Sequence, residues 1–153
     1  MGYVPIEMAQ TSELRLPAER AYVVVVKRAA AGLGSVAGFD LDAIDDLTIA
    51  VAQAFENAVG CLESAGALAG QVRIAFKLQD SELEVTVRST VSRDAELAAL
   101  EHERRLARER EHEIATAHDL ALRLMGLFVD DSSYRLDERT GGLRVRLTKY
   151  RVS

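Results

Sequence analysis

The chain has little of several things that would settle its class at once. It holds one cysteine, Cys61, in 153 residues. An internal disulfide is therefore excluded, and on an alanine-rich helix a lone thiol is more often a small packed hydrophobe than a nucleophile. No apolar run approaches the roughly 18 residues that a membrane-crossing helix needs. The opening "MGYVPIEMAQ" shows neither a charged n-region nor an apolar h-region, and Ile6 stands where a myristoylation signal needs Ser or Thr. We expect a cytoplasmic protein with no membrane association. Positive charge is also short: the net charge is -5, which argues against direct nucleic-acid binding. Between Gln71 and Thr140 the only glycine is Gly126, so that half of the chain has little backbone that a phosphate could approach closely.

What is present is enough for one core. Apolar residues make up 48% and charged residues 28%, and a chain of this length buries about 70% of its unfolded surface on folding. We read residues 1–153 as a single domain. "TSELRL" alternates Leu14 and Leu16 with polar residues and predicts a short strand. "AYVVVVKRAAAGLG" would suit a strand as well, but Pro17 and Glu19 before it and Gly32 and Gly34 at its end favour a helix. A second helix begins near Asp40 or Asp42, either of which can cap it, and reaches about Ser64. "QVRIAFKL" and "ELEVTVR" carry inward sets Val72, Ile74, Phe76, Leu78 and Leu83, Val85, Val87, a hairpin joined through "QDS". From Asp94 to about Phe128 the pattern is helical, and "SSYRLDERTGGLRVRLTKY" closes the chain with another hairpin. The order predicts an α+β domain, its helices on one face of a mainly antiparallel sheet.

The second helix holds the informative residues. At about 100° per residue, Leu47, Val51, Ala54, Phe55, Ala58 and Leu62 form one stripe, with Asp45, Glu56 and Glu63 opposite. A third face lines up Asp46, Gln53, Asn57 and Ser64, with Ala50 and Gly60 between them and room expected beside it. Such a flank can simply hydrogen-bond its neighbours, or it can form one wall of a site.

"DDLTIAVAQAFENAVGCLE" resembles the N-box helix of the GHKL ATPases, whose relatives include DNA gyrase and sensor histidine kinases. The likeness is greatest to the anti-sigma factor serine kinases of bacterial partner-switching modules. It extends to "LRLPAERAYVVVVKRAAAGL", "LEVTVRS" and "LRLMGLFVDDSSYRLDERTGGLRVRLTKY", and so covers nearly the whole chain. The resemblance implies a Bergerat-type two-layer sandwich. It also implies a general-base Glu four residues before the N-box Asn and an Asn oxygen on the Mg²⁺ that bridges the nucleotide phosphates. Asn57 matches that Asn. Its implied partners are a sigma factor and a STAS-domain anti-anti-sigma protein, with homodimers common.

The departures from that pattern are chemical. Gln53 occupies the base position, and an amide has no basic lone pair with which to take a hydroxyl proton. Ser89 stands where the adenine-contacting Asp is expected, and Ala115 and Ala117 fall near the glycine-rich turn before the last helix. We therefore expect no catalytic residue and no cofactor, with Asn57 a weak ATP and Mg²⁺ contact at best. A charged helical segment, 93–113, stands in place of the lid over the nucleotide; it is either an exposed extension or a docking surface. The resulting expectation is a catalytically degenerate anti-sigma-type regulator that works by binding. Two alternatives remain open: an active Ser/Thr kinase acting on a STAS protein, and a structural subunit paired with an intact homologue.

Other motifs carry less. "GLGSVAG" follows a helix rather than a strand and fails the context of a dinucleotide loop. His102, His112 and His118 with Glu111 and Glu113 lack the HExxH spacing of a zinc site. Glu101 with Arg105, and Arg105 with Glu109, are spaced i, i+4 and support a solvated helix. Within the resembled family, partners dock on the first helix and the sheet edge beside it, which makes Arg20, Lys27 and Arg28 the candidate partner-binding residues.

Overall fold

The structure is a computed structural model, and it describes residues 9–64, 66, 70–90, 120, 123–136 and 142–152. The expected helix over residues 93–113, and Ala115 and Ala117, lie outside the described residues.

Strand β1 spans Gln10–Pro17, with Leu16 buried and Leu14 partly so. Pro17 does not open the first helix, as the sequence suggested; it ends the strand opposite Gln71. β1 lies at the edge of the sheet, where a residue without an N–H is tolerated. A short 3-10 turn at Arg20–Tyr22 then leads into helix α1, Val23–Val36. Four successive valines sit in helical structure because Val26 and Ala30 are buried against the second helix and the core, and tertiary packing overrides β propensity.

Nor does α1 stop at Gly32 or Gly34. Gly34 lies inside the helix, where an added Cβ would come within 3.1 Å of Ile44 Cγ1, so its small size permits the close approach of the two helices. The stop is Gly38, whose φ of 81° is open to glycine at little cost. The Phe39 N–H donates to the Gly34 carbonyl and the Gly38 N–H to the Ser35 carbonyl, each at 3.0 Å, which is the Schellman arrangement.

Helix α2, Leu41–Ser64, follows directly. Of the two aspartates expected to cap it, Asp40 does so: its Oδ1 accepts from the Ala43 N–H at 2.8 Å. The whole stripe from Leu47 to Leu62 is buried, and Asp45, Glu56 and Glu63 are exposed. Ala50, Ala52, Val59 and Cys61 are buried as well.

Strands β2, Gln71–Gln79, and β3, Glu82–Thr90, form the expected hairpin. Gln79 pairs with Glu82, so the turn is Asp80–Ser81 alone. β4, Asp131–Leu136, and β5, Leu143–Tyr150, make the closing hairpin. The five-stranded sheet has the order β1-β2-β3-β5-β4 with every neighbouring pair antiparallel. α2 lies over β2, β3 and β5, and α1 packs against α2, so both helices occupy one face. Phe55 and Leu47 of the helix share one buried cluster with Phe76, Ile74, Leu83 and Leu147 of the sheet.

Candidate functional site

Gln53 and Asn57 are one turn apart on the flank of α2, both half-buried. The Gln53 Oε1 is shielded from solvent and has no hydrogen-bond partner among the described residues. Glu56, next to Asn57 in sequence, is exposed on another side of the helix and cannot take over as a base on this flank. The flank is also less roomy than its small residues suggest. Ala50 is fully buried, and beside Gly60 an added Cβ would meet the Arg20 Nη2 at 3.6 Å.

The end of β3 closes one side of this region. The Ser89 hydroxyl donates to the Ala58 carbonyl at 3.1 Å, and its oxygen accepts from the Leu143 N–H at 3.3 Å. One side chain thus ties α2, β3 and β5 together beside Asn57, with its O–H and an acceptor site both engaged. From sequence Ser89 read only as a missing carboxylate. The available signal was positional: it continues the inward series Leu83, Val85, Val87, and an inward hydroxyl needs partners.

At the other end of the flank, Asp46 lies 3.9 Å from the Lys149 Nζ, which also donates to the Phe128 carbonyl at 3.0 Å. Lys149 is almost wholly covered, at 12% side-chain exposure, and so anchors the turn before β4 to the base of α2. Ser64 is exposed at the C-terminal end of the helix. Cys61 is 5% exposed, and burial pushes its thiol up to about 12. That leaves almost no thiolate at neutral pH, in keeping with the packing role read from sequence.

Of the three basic candidates, Arg20 borders the C-terminal end of the flank, beside Gly60. Arg20 belongs to the 3-10 turn rather than to α1, and its Nη2 lies 3.3 Å from the Glu63 Oε2, both side chains being more than half exposed. Lys27 and Arg28 are exposed on α1, near the half-exposed Val24 and Val25. Between α1 and the edge strand lies an open groove of about 190 Å³ whose walls include Leu14, Ala29, Gly32 and Leu33.

An antiparallel sheet covered on one face by two helices, the longer carrying Asn57 on a flank beside the central strand, is the α+β sandwich of a GHKL-type ATPase domain. The match of residues 16–149 to the histidine kinase-like ATPase domain family places the chain in that family. Among its relatives is the serine-protein kinase RsbW of Bacillus cereus (strain AH187), 29% identical over 147 residues, covering 95% of this chain and 88% of that protein. The RsbW of Listeria innocua serovar 6a is 33% identical over 138 residues, 90% of this chain and 85% of its own. That of Bacillus licheniformis is 35% identical over 75 residues, 49% of this chain and 47% of its own.

Proposed function

We propose that this protein is an anti-sigma-type regulator of a partner-switching module that acts by binding a sigma factor and a STAS-domain antagonist, without phosphoryl transfer. The observation that carries this reading is Gln53: its position is that of the general base, and it offers an amide oxygen. Ser89 adds support, because a hydroxyl already engaged with Ala58 and Leu143 is poorly placed to read a nucleobase. The residues present do not fit a phosphoryl-transfer site, and no catalytic step is assigned to them. The resemblance to anti-sigma factor serine kinases supplies the partner classes, and relatives named serine-protein kinase agree with that resemblance. The open edge of β1 and the groove beside α1 suit the docking of a partner or of a second copy in a homodimer.

An active kinase is the second reading, and Asn57 is the residue that favours it. The two differ in nucleotide affinity. A ligand at 100 times its dissociation constant stabilises by about 2.7 kcal/mol, which raises the melting midpoint of a domain this size by roughly 5–10 °C. We expect millimolar Mg-ATP to move the midpoint by about 1 °C or less. A clear rise that disappears in Asn57→Ala would establish nucleotide binding and favour the kinase.

Gln53→Glu alone is expected to leave phosphoryl transfer undetectable. A base is one component, and transfer also needs metal-bridged phosphates held in line with the acceptor. Labelled ATP incubated with the variant and a cognate STAS protein provides the assay. Strong labelling would mean that the nucleotide pocket is intact and that the amide is its sole defect.

A further inference from the structure

The strand registers bring together five arginines that are far apart in sequence. Arg15 stands opposite Arg73, Arg73 opposite Arg88, Arg88 opposite Arg144, and Arg144 opposite Arg135, a single row crossing all five strands. Their strand neighbours Leu14, Leu16, Val72, Ile74, Val87, Leu143 and Val145 belong to the core or pack against it. The arginines therefore point to the face away from α1 and α2. Arg15, Arg88, Arg144 and Arg135 are exposed. Within the row only Arg73 has an ion pair among the described residues, with Glu13.

Like charges directly opposite one another destabilise a strand pair, and here the juxtaposition occurs at four successive pairings. The surrounding chain is acidic overall, at -5, so the row is not a by-product of a basic composition. A local rule broken this way marks a functional surface more readily than a structural one. The geometry points to the open face of the sheet as a docking surface for an acidic α-helix of a partner protein, its carboxylates aligned with the arginine row.

Spacing selects the occupant. Neighbouring strands are ~4.8 Å apart, so the row offers a guanidinium about every 4.8 Å across the strands. A helix presents one face every ~5.4 Å, a difference that flexible arginine side chains can absorb. An extended strand repeats its face only every ~6.7 Å. Charge points the same way. Glu84 and Asp131 share this face with the row and would oppose a phosphate backbone continuing past it. The planar fork of each arginine can bind both oxygens of a carboxylate. This surface is separate from the α2 flank, and the inference does not depend on whether the protein is a kinase.

The test uses a fluorescent alanine-based helical peptide with one glutamate per turn, followed by anisotropy at low and physiological salt. Controls are the glutamine counterpart of the peptide and a single-stranded oligonucleotide. We expect the glutamate peptide to bind, its glutamine counterpart to bind at least tenfold more weakly, and the affinity to fall with salt. Arg88→Glu is expected to weaken binding at least tenfold while the melting midpoint holds or rises, because the new carboxylate sits between Arg73 and Arg144. Arg88→Lys should retain most of the affinity. Equal binding of both peptides, tighter binding of the oligonucleotide, an unchanged affinity in Arg88→Glu, or a midpoint that falls with the affinity would each overturn the proposal.

Discussion

Phe55→Ala is expected to lower the unfolding free energy by about 3–5 kcal/mol, the usual cost of truncating a fully buried phenylalanine. Phe55 is completely shielded in the middle of α2 and is among the largest side chains of the core. Its helix lies across β2, β3 and β5, so the cavity would open between the two layers where neither can close in without moving the other. Domains of this kind are stable by about 5–15 kcal/mol in total, and the variant would lose a large part of that. Urea denaturation of the two proteins measures it. A loss below about 1.5 kcal/mol would mean that the sandwich relaxes around the void and that α2 is less firmly seated than its burial implies. The same helix carries Gln53 and Asn57 on its flank. The stripe that holds the fold is thus separate from the flank proposed as the site, so a substitution on the flank need not disturb the sandwich.

That separation also explains what could be read from sequence. Alternation exposed β2 and β3, because Val72 to Leu78 and Leu83 to Val87 each bury every second residue. The 3.6-residue stripe exposed α2 in the same way. Boundaries were harder to read where they depend on backbone dihedrals rather than on pattern. Gly34 looked like a stop and proved to be a helix contact, whereas the actual stop is Gly38 with its positive φ. Pro17 looked like a helix start and proved to be the end of an edge strand. Site residues were legible to the extent that a single position carries the chemistry. Gln53 in place of a carboxylate needs no coordinates, but the bonds that tie Ser89 to Ala58 and Leu143 join residues 31 and 54 positions away. The arginine row exists only once the register is fixed, since no local window contains more than a fragment of it.

Arg20→Glu combined with Lys27→Glu is expected to reduce capture of the sigma factor or STAS partner at least tenfold, about 1.4 kcal/mol, with the melting midpoint nearly unchanged. Both side chains are exposed, and substitutions at such positions usually change stability by no more than about 0.5 kcal/mol. Arg20 does pair with Glu63 across to α2, but both partners are more than half exposed, and exposed pairs of this kind contribute little. Their value to binding is different: charges at the rim of an interface steer the approach of an oppositely charged partner and fix its register. The surface beside Lys27 has apolar content of its own, with Val24, one turn earlier on α1, half exposed. Affinity would come from burying that content, and selectivity from the charges around it. The measurement is a pull-down or titration with purified sigma factor and STAS protein, wild type against the double variant, at two salt concentrations. A drop confined to low salt supports steering, and one that persists at high salt supports direct contact. If capture is untouched by the double variant but abolished by deleting residues 101–111, docking belongs to the charged segment and the α1 surface has no part in it.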